Sequence, residues 1–127
     1  MRIYTSYFAQ LKKLSENIIP IAICGKEPSW YTGLCYKKLA PKYDWWIQWK
    51  NEHHNNDIYA LKYKETVLDQ LCVEEVLQDL ESLSNGADVV LLCYEKADAF
   101  CHRHLVSDWL HSYNIDCEEL VFGGKNV

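Results

Sequence analysis

Cys101, His102, Arg103 and His104 stand consecutively, a few positions after Cys93 and Glu95. Together they offer a thiol nucleophile, an imidazole that moves a proton near neutral pH, and a guanidinium that can grip a carboxylate or phosphate through two parallel hydrogen bonds. Glu95 could serve the thiol as a general base or accept hydrogen bonds from ribose hydroxyls. The chemistry on offer is nucleophilic attack or anion recognition, and the choice depends on where the chain places these groups.

The segment before them, Val89 to Cys93, is continuously apolar, the pattern of a central parallel strand covered on both faces. The polar cluster therefore falls at the carboxyl end of a strand, where open α/β sheets bind ligands and where the next helix offers its unpaired amides and positive dipole end. That helix is expected over residues 99–113, with Asp98 as its cap and Cys101 in its first turn, a position that favours thiolate. Plain structural roles compete with each of these. Cys101 could be a small buried hydrophobe, Arg103 a partner of Asp98 or Asp108, and Glu95 a solvated loop residue.

Cys93, Cys101, His102 and His104 are all of metal-ligating type, but their spacing is not a zinc pattern and no Cys-x-x-Cys knuckle occurs. No metal and no cofactor are expected. The aromatic residues are unusually plentiful, with five Trp, nine Tyr and three Phe. Trp30, Tyr31, Tyr36, Tyr43, Trp45, Trp46 and Trp49 all lie in one Gly- and Pro-containing stretch, residues 24–56, that has no sustained period. It reads as a long ordered loop with short helical pieces, most of its rings being core or subunit interface and at least one a pocket wall. Arg2, Lys26, Lys37, Lys38 and Lys42 are candidates for charge at the rim.

Periodicity indicates the scaffold on which the cluster is mounted. Residues 2–5 read as a first strand, with Ser6 as N-cap of an amphipathic helix carrying Phe8, Leu11 and Leu14, and residues 18–23 as a second strand. Helices are expected over 57–71 and 73–83, stopped by Asn85-Gly86, and a last strand over 117–122. This succession predicts a three-layer α/β domain, Rossmann-like, with a mainly parallel four-stranded sheet flanked by helices. A chain of 127 residues with 49% apolar composition is enough for one such domain. Residues 123–127 are expected to fray.

The net charge of -5, with both signs interspersed, leaves no basic stripe for an extended nucleic acid. The six cysteines lack a disulfide-scaffold spacing and are read as reduced, in a cytoplasmic protein. The N-terminus lacks the apolar core of a signal peptide, and no stretch is apolar enough to span a membrane. The aromatic excess makes a homo-oligomer an expectation.

The runs Leu91-Leu-Cys-Tyr-Glu-Lys96 and Phe100-Cys-His-Arg-His-Leu105 resemble the signature of the family called domain of unknown function 488, a Cys-x-Glu followed by Cys-His-Arg. The likeness extends to Thr5-Ser-Tyr-Phe8, Pro28-Ser-Trp-Tyr31 and Leu39-Ala-Pro41, and is similar to the short form common in phages and bacteria. It implies an α/β fold with its site at Cys93, Glu95, Cys101, His102 and Arg103. Thr5, Ser6, Trp30, Tyr31 and Lys96, from the same segments, complete the ligand-binding candidates. Longer members carry Asp-Val-Arg after the second strand, where this chain reads Ala22-Ile-Cys-Gly-Lys26; Lys26 could replace that arginine only as a point charge.

Three functions are compatible with these residues. The first is a protein that binds a small phosphorylated, nucleotide-derived ligand through Arg103, His102, helix amides and loop aromatics; one version is a phage-type anti-defence protein that sequesters a host nucleotide signal. The second is an enzyme acting on a nucleoside or nucleotide through Cys101 or Glu95, with His102 as proton carrier. The third is an interaction module that docks a protein on its aromatic loop.

Overall fold

The computed structural model describes residues 1–122. Five parallel strands form one sheet: β1 (Ile3–Tyr7), β2 (Ile18–Ala22), β3 (Leu34–Cys35), β4 (Asp88–Cys93) and β5 (Cys117–Glu119), in the order β3-β2-β4-β1-β5. Parallel pairing requires long crossovers. β1 reaches β2 through a 3-10 segment, Phe8–Lys13, and β2 reaches β3 through a loop without a helix; α1 (Tyr43–Gln48), α2 (Asn56–Thr66) and α3 (Val73–Ser84) lie between β3 and β4, and α4 (His102–Ser112) between β4 and β5.

β4 sits centrally because every residue from Val89 to Cys93 is buried. Its alternation divides the core. Val89, Leu91 and Cys93 join the larger cluster with α2, α3 and α4, and Val90 and Leu92 join a smaller one with Phe8, Ala22, Cys24 and Tyr31. Pro20 is tolerated inside β2 because β3 pairs only with Ile21 and Ala22, so the missing amide leaves no ladder partner unsatisfied on that side. Asn85 and Gly86 both have positive φ and end α3 at the place their types predict.

Neighbouring β1 and β4 run in register, Tyr7 opposite Cys93. From β1 the chain crosses to β2 on one side, and from β4 it crosses through α4 to β5 on the other. Right-handed connections leaving in opposite directions must cover opposite faces, which opens a crevice beyond the carboxyl ends of these two strands.

Several expectations are corrected. The sheet has five strands, not four: β3 is a two-residue edge strand, too short to show a period, inside the stretch read as loop. β1 continues through Ser6 to Tyr7 and leads into 3-10 turns, so Ser6 caps no helix. α2 ends at Thr66 and a separate 3-10 turn covers Leu68–Gln70. β5 ends at Glu119. α4 begins at His102, and its N-cap is Cys101, not Asp98. Residues 123–127, expected to fray, lie outside the described residues.

The six cysteines are unpaired. Among the described residues no helix is long and apolar enough to cross a membrane.

Candidate functional site

Cys93 is the last residue of β4 and Cys101 the N-cap of α4, so the turn between them brings both sulfurs to the strand-end crevice. One ligating atom from each of Cys93, Cys101 and His102 lies within 4.8 Å of the other two, and all three side chains are buried. His102 Nε2 lies 2.8 Å from the carbonyl oxygen of Ile23, just past β2, and donates to it. The Tyr63 ring lies against the His102 ring, and its hydroxyl donates to the Leu39 carbonyl at 2.6 Å.

The two thiols divide their titration. Cys101 is held far below the usual thiol range, as thiolate, by hydrogen bonding from Cys93, by His102 and by the Arg103 amide, which together outweigh desolvation. Cys93 is pushed well up by burial, by its hydrogen bond to Cys101 and by the charge on Cys101. One proton thus stays on Cys93 and serves both sulfurs, as coupled pairs do. Glu95 lies on the exposed turn, and its pKa is raised first by desolvation, then by the charge of Cys101 and by the hydrogen bond that the protonated carboxyl donates to that sulfur.

Arg103 is fully buried. Its Nε donates to Glu119 Oε1 at 3.0 Å and its Nη2 to Oε2 at 2.9 Å; Thr5 Oγ1 donates to the same Oε1 at 2.6 Å. The guanidinium carbon lies 5.6 Å from the centre of the Tyr7 ring. Nη1 is buried without a hydrogen-bond partner among the described residues, and the positive charge is near enough to interact with both Cys101 and Cys93. Arg103 is therefore not an open anion hook: Glu119 already occupies its bidentate edge, in place of the Asp98 or Asp108 considered from helix spacing.

The structure brings together Cys93, Glu95, Cys101, His102, Arg103 and Thr5. Ser6 is buried, but strand alternation turns it to the opposite face from Thr5, away from the thiols. Tyr31 is a core residue of that face, its hydroxyl donating to the carbonyls of Pro20 and Leu34. Lys96 is exposed on the turn after Glu95, and Trp30 is exposed beyond the opposite face. Lys37 and Lys38 are paired with Glu27 and Asp79, and Arg2 lies at the other end of the sheet. A cleft of about 440 Å³ at that amino-terminal end, lined by Arg2, Tyr4 and Asp116, contains none of the reactive residues.

Sequence reasoning missed Glu119, Tyr7 and Tyr63. Glu119 pairs with the site only because β5 lies beside β1, with Thr5 in register with Glu119. Tyr63 is a wholly buried residue of α2.

Can the trio hold a metal? The donor types suit a soft ion, and the turning of His102 Nε2 toward a backbone carbonyl is the usual outer support of a ligating imidazole. Yet Cys93 Sγ is almost equidistant from the two ring nitrogens, 3.7 Å from Nδ1 and 3.5 Å from Nε2. At those distances an in-plane sulfur would overlap the ring carbon between the nitrogens, so it sits over the ring face, and the in-plane Nδ1 lone pair does not converge on it. The arrangement fits a hydrogen-bonded thiol pair better than a ligand set.

In comparisons with known proteins, the family DUF488-N3a, described as the active DUF488-N3 subclade, matches residues 7–114. No curated protein and no solved structure matches the chain.

Proposed function

We propose that this chain, which belongs to the DUF488-N3a family, the active DUF488-N3 subclade, is a thiol enzyme acting on a nucleoside or nucleotide. The observation that carries the reading is Cys101: a thiolate at the crevice over the switch point, with Cys93 holding the shared proton and a carboxyl of raised pKa beside it. A nucleophile, its proton partner and an acid-base group converge there, as covalent catalysis requires. The word "active" in the family's description favours turnover.

In this mechanism the Cys101 sulfur attacks an electrophilic carbon, forming a C–S bond while the bond to the leaving group breaks. Protonated Glu95 gives its proton to the leaving group, and its carboxylate then takes one from the water that cleaves the C–S bond. The freed thiolate is again hydrogen-bonded by Cys93. Arg103, fixed by Glu119 and Thr5, acts through its charge on the sulfurs.

A protein that binds a phosphorylated, nucleotide-derived ligand without turning it over is the second reading. It is favoured by the unpartnered Nη1 of Arg103 close to the N-terminus of α4. Docking of a protein through the aromatic loop is less well supported, because Trp45 and Trp49 spend their indole N–H groups on Thr66 and Asn55 and pack on Tyr59.

The test is incubation with nucleosides and nucleotides, then mass analysis of protein and ligand. The thiol-enzyme reading expects altered ligand or an adduct at Cys101, abolished in Cys101→Ser and slowed in Glu95→Gln. Recovery of intact ligand from a complex that Cys101→Ser still forms, and Arg103→Ala does not, would replace it with the binding reading.

A further inference from the structure

The register that pairs Tyr7 with Cys93 also aligns the residues just beyond the two strands. Phe8 and Tyr94 are the first of these, and alternation turns both to the face opposite Cys101. Their rings meet there at 5.1 Å between centroids, and Trp30 meets Phe8 at 6.1 Å. Phe8 is buried, whereas Trp30 is 58% and Tyr94 49% exposed. One buried ring thus forms a floor with two exposed rings against it, at interplanar angles of 84° and 62°.

This rim is rigid. The Tyr94 hydroxyl donates to the Lys26 carbonyl, and the Lys37 ammonium ties the same turn through the carbonyls of Cys24 and Gly25 and the carboxylate of Glu27. The indole N–H of Trp30 has no hydrogen-bond partner among the described residues, unlike those of Trp45 and Trp49. Two large rings in water, one tied through its hydroxyl and the other with a spare donor, have little structural role to justify their exposure.

We infer that the crevice is bipartite: a planar aromatic heterocycle, a nucleobase, stacks on Trp30 and Tyr94 while the part of the ligand that reacts lies at Cys101 and Glu95. The inference rests on the thiol-enzyme reading for which half of the ligand reacts. Tyr94 stands between Cys93 and Glu95 in the chain, so a molecule laid across the strand ends meets the rings on one side and the thiolate on the other. Stacking on exposed rings binds any base face and needs no built hydrogen-bond code.

The experiment measures calorimetric affinity of the Cys101→Ser protein, which cannot consume its ligand through the thiol, for the four nucleoside 5′-monophosphates and for ribose 5-phosphate. At least one nucleotide is expected to bind at least tenfold more tightly than ribose 5-phosphate. Trp30→Ala and Tyr94→Ala should each weaken it about tenfold, and Tyr94→Phe far less. Trp30 is mostly solvent-exposed, so its removal spares the fold, and unchanged melting of each variant confirms this. Equal binding of ribose 5-phosphate, unchanged affinity in both alanine variants, or no binding of any nucleotide overturns the stacking site. If the alanine variants lose affinity while Cys101→Ser turns ligand over at the wild-type rate, the stacking site stands and the thiol mechanism falls.

Discussion

Arg103 meets Glu119 side-on, Nε on one carboxylate oxygen and Nη2 on the other, joining the first turn of α4 to the last residue of β5. The guanidinium is wholly buried, whereas the Glu119 side chain keeps 18% exposure. That asymmetry sets the cost of breaking the pair. Glu119→Ala strands a buried cation and should cost about 3–5 kcal/mol in denaturant unfolding. Arg103→Met leaves a carboxylate that water can reach and should cost clearly less. Equal losses would show that desolvation does not govern this pair.

Thiol titration is the most direct check on the site. Because Cys101 is held as thiolate, its alkylation rate should stay nearly flat from pH 8 down to pH 5, where ordinary thiols slow about tenfold per unit. Iodoacetamide labelling with peptide mapping reads this. Cys93→Ala should raise the Cys101 pKa, because the largest stabilising hydrogen bond to the thiolate is lost.

Stability should fall in alkali. Burial pushes Cys24 and Cys117 each up from 9.0 to about 11. A raised folded pKa means that the contribution is complete below the unfolded pKa and is lost as pH rises through the folded one. Between pH 9 and 11 the unfolded chain releases these protons and the folded chain keeps them, and each thiol could cost up to about 3 kcal/mol. Urea midpoints should drop across this window, and less in a Cys24→Ala, Cys117→Ala double variant. A midpoint independent of pH there would contradict the burial of both thiols.

Gly33→Ala probes the packing beneath the aromatic rim. A methyl group at Gly33 would collide with the Tyr31 ring, which cannot swing away without giving up its bonds to Pro20 and Leu34. A loss of about 1–3 kcal/mol in melting experiments is expected. Tyr31→Phe combined with it should recover little, because the ring atoms clash as well as the hydroxyl.

Much of this molecule is legible in its residues. The unbroken apolar run of β4 announces a central parallel strand, Asn85-Gly86 announces the end of α3, and Cys93, Glu95 and the Cys-His-Arg run point to the strand-end site, because period, turn chemistry and short spacing are local properties. The start of α4 lies a few residues from its expected place, since Asp98, Cys101 and the intervening turn offer competing caps that only packing decides. The partner of Arg103 is illegible. Glu119 lies in a three-residue strand with no period of its own, and it reaches the guanidinium only because β5 pairs beside β1. The same holds for the opposite orientations of Thr5 and Ser6, and for Phe8 and Tyr94 meeting beyond paired strand ends. Sequence determines which groups exist and their local conformations; register and strand order, set by burial of the whole sheet, decide which of them touch.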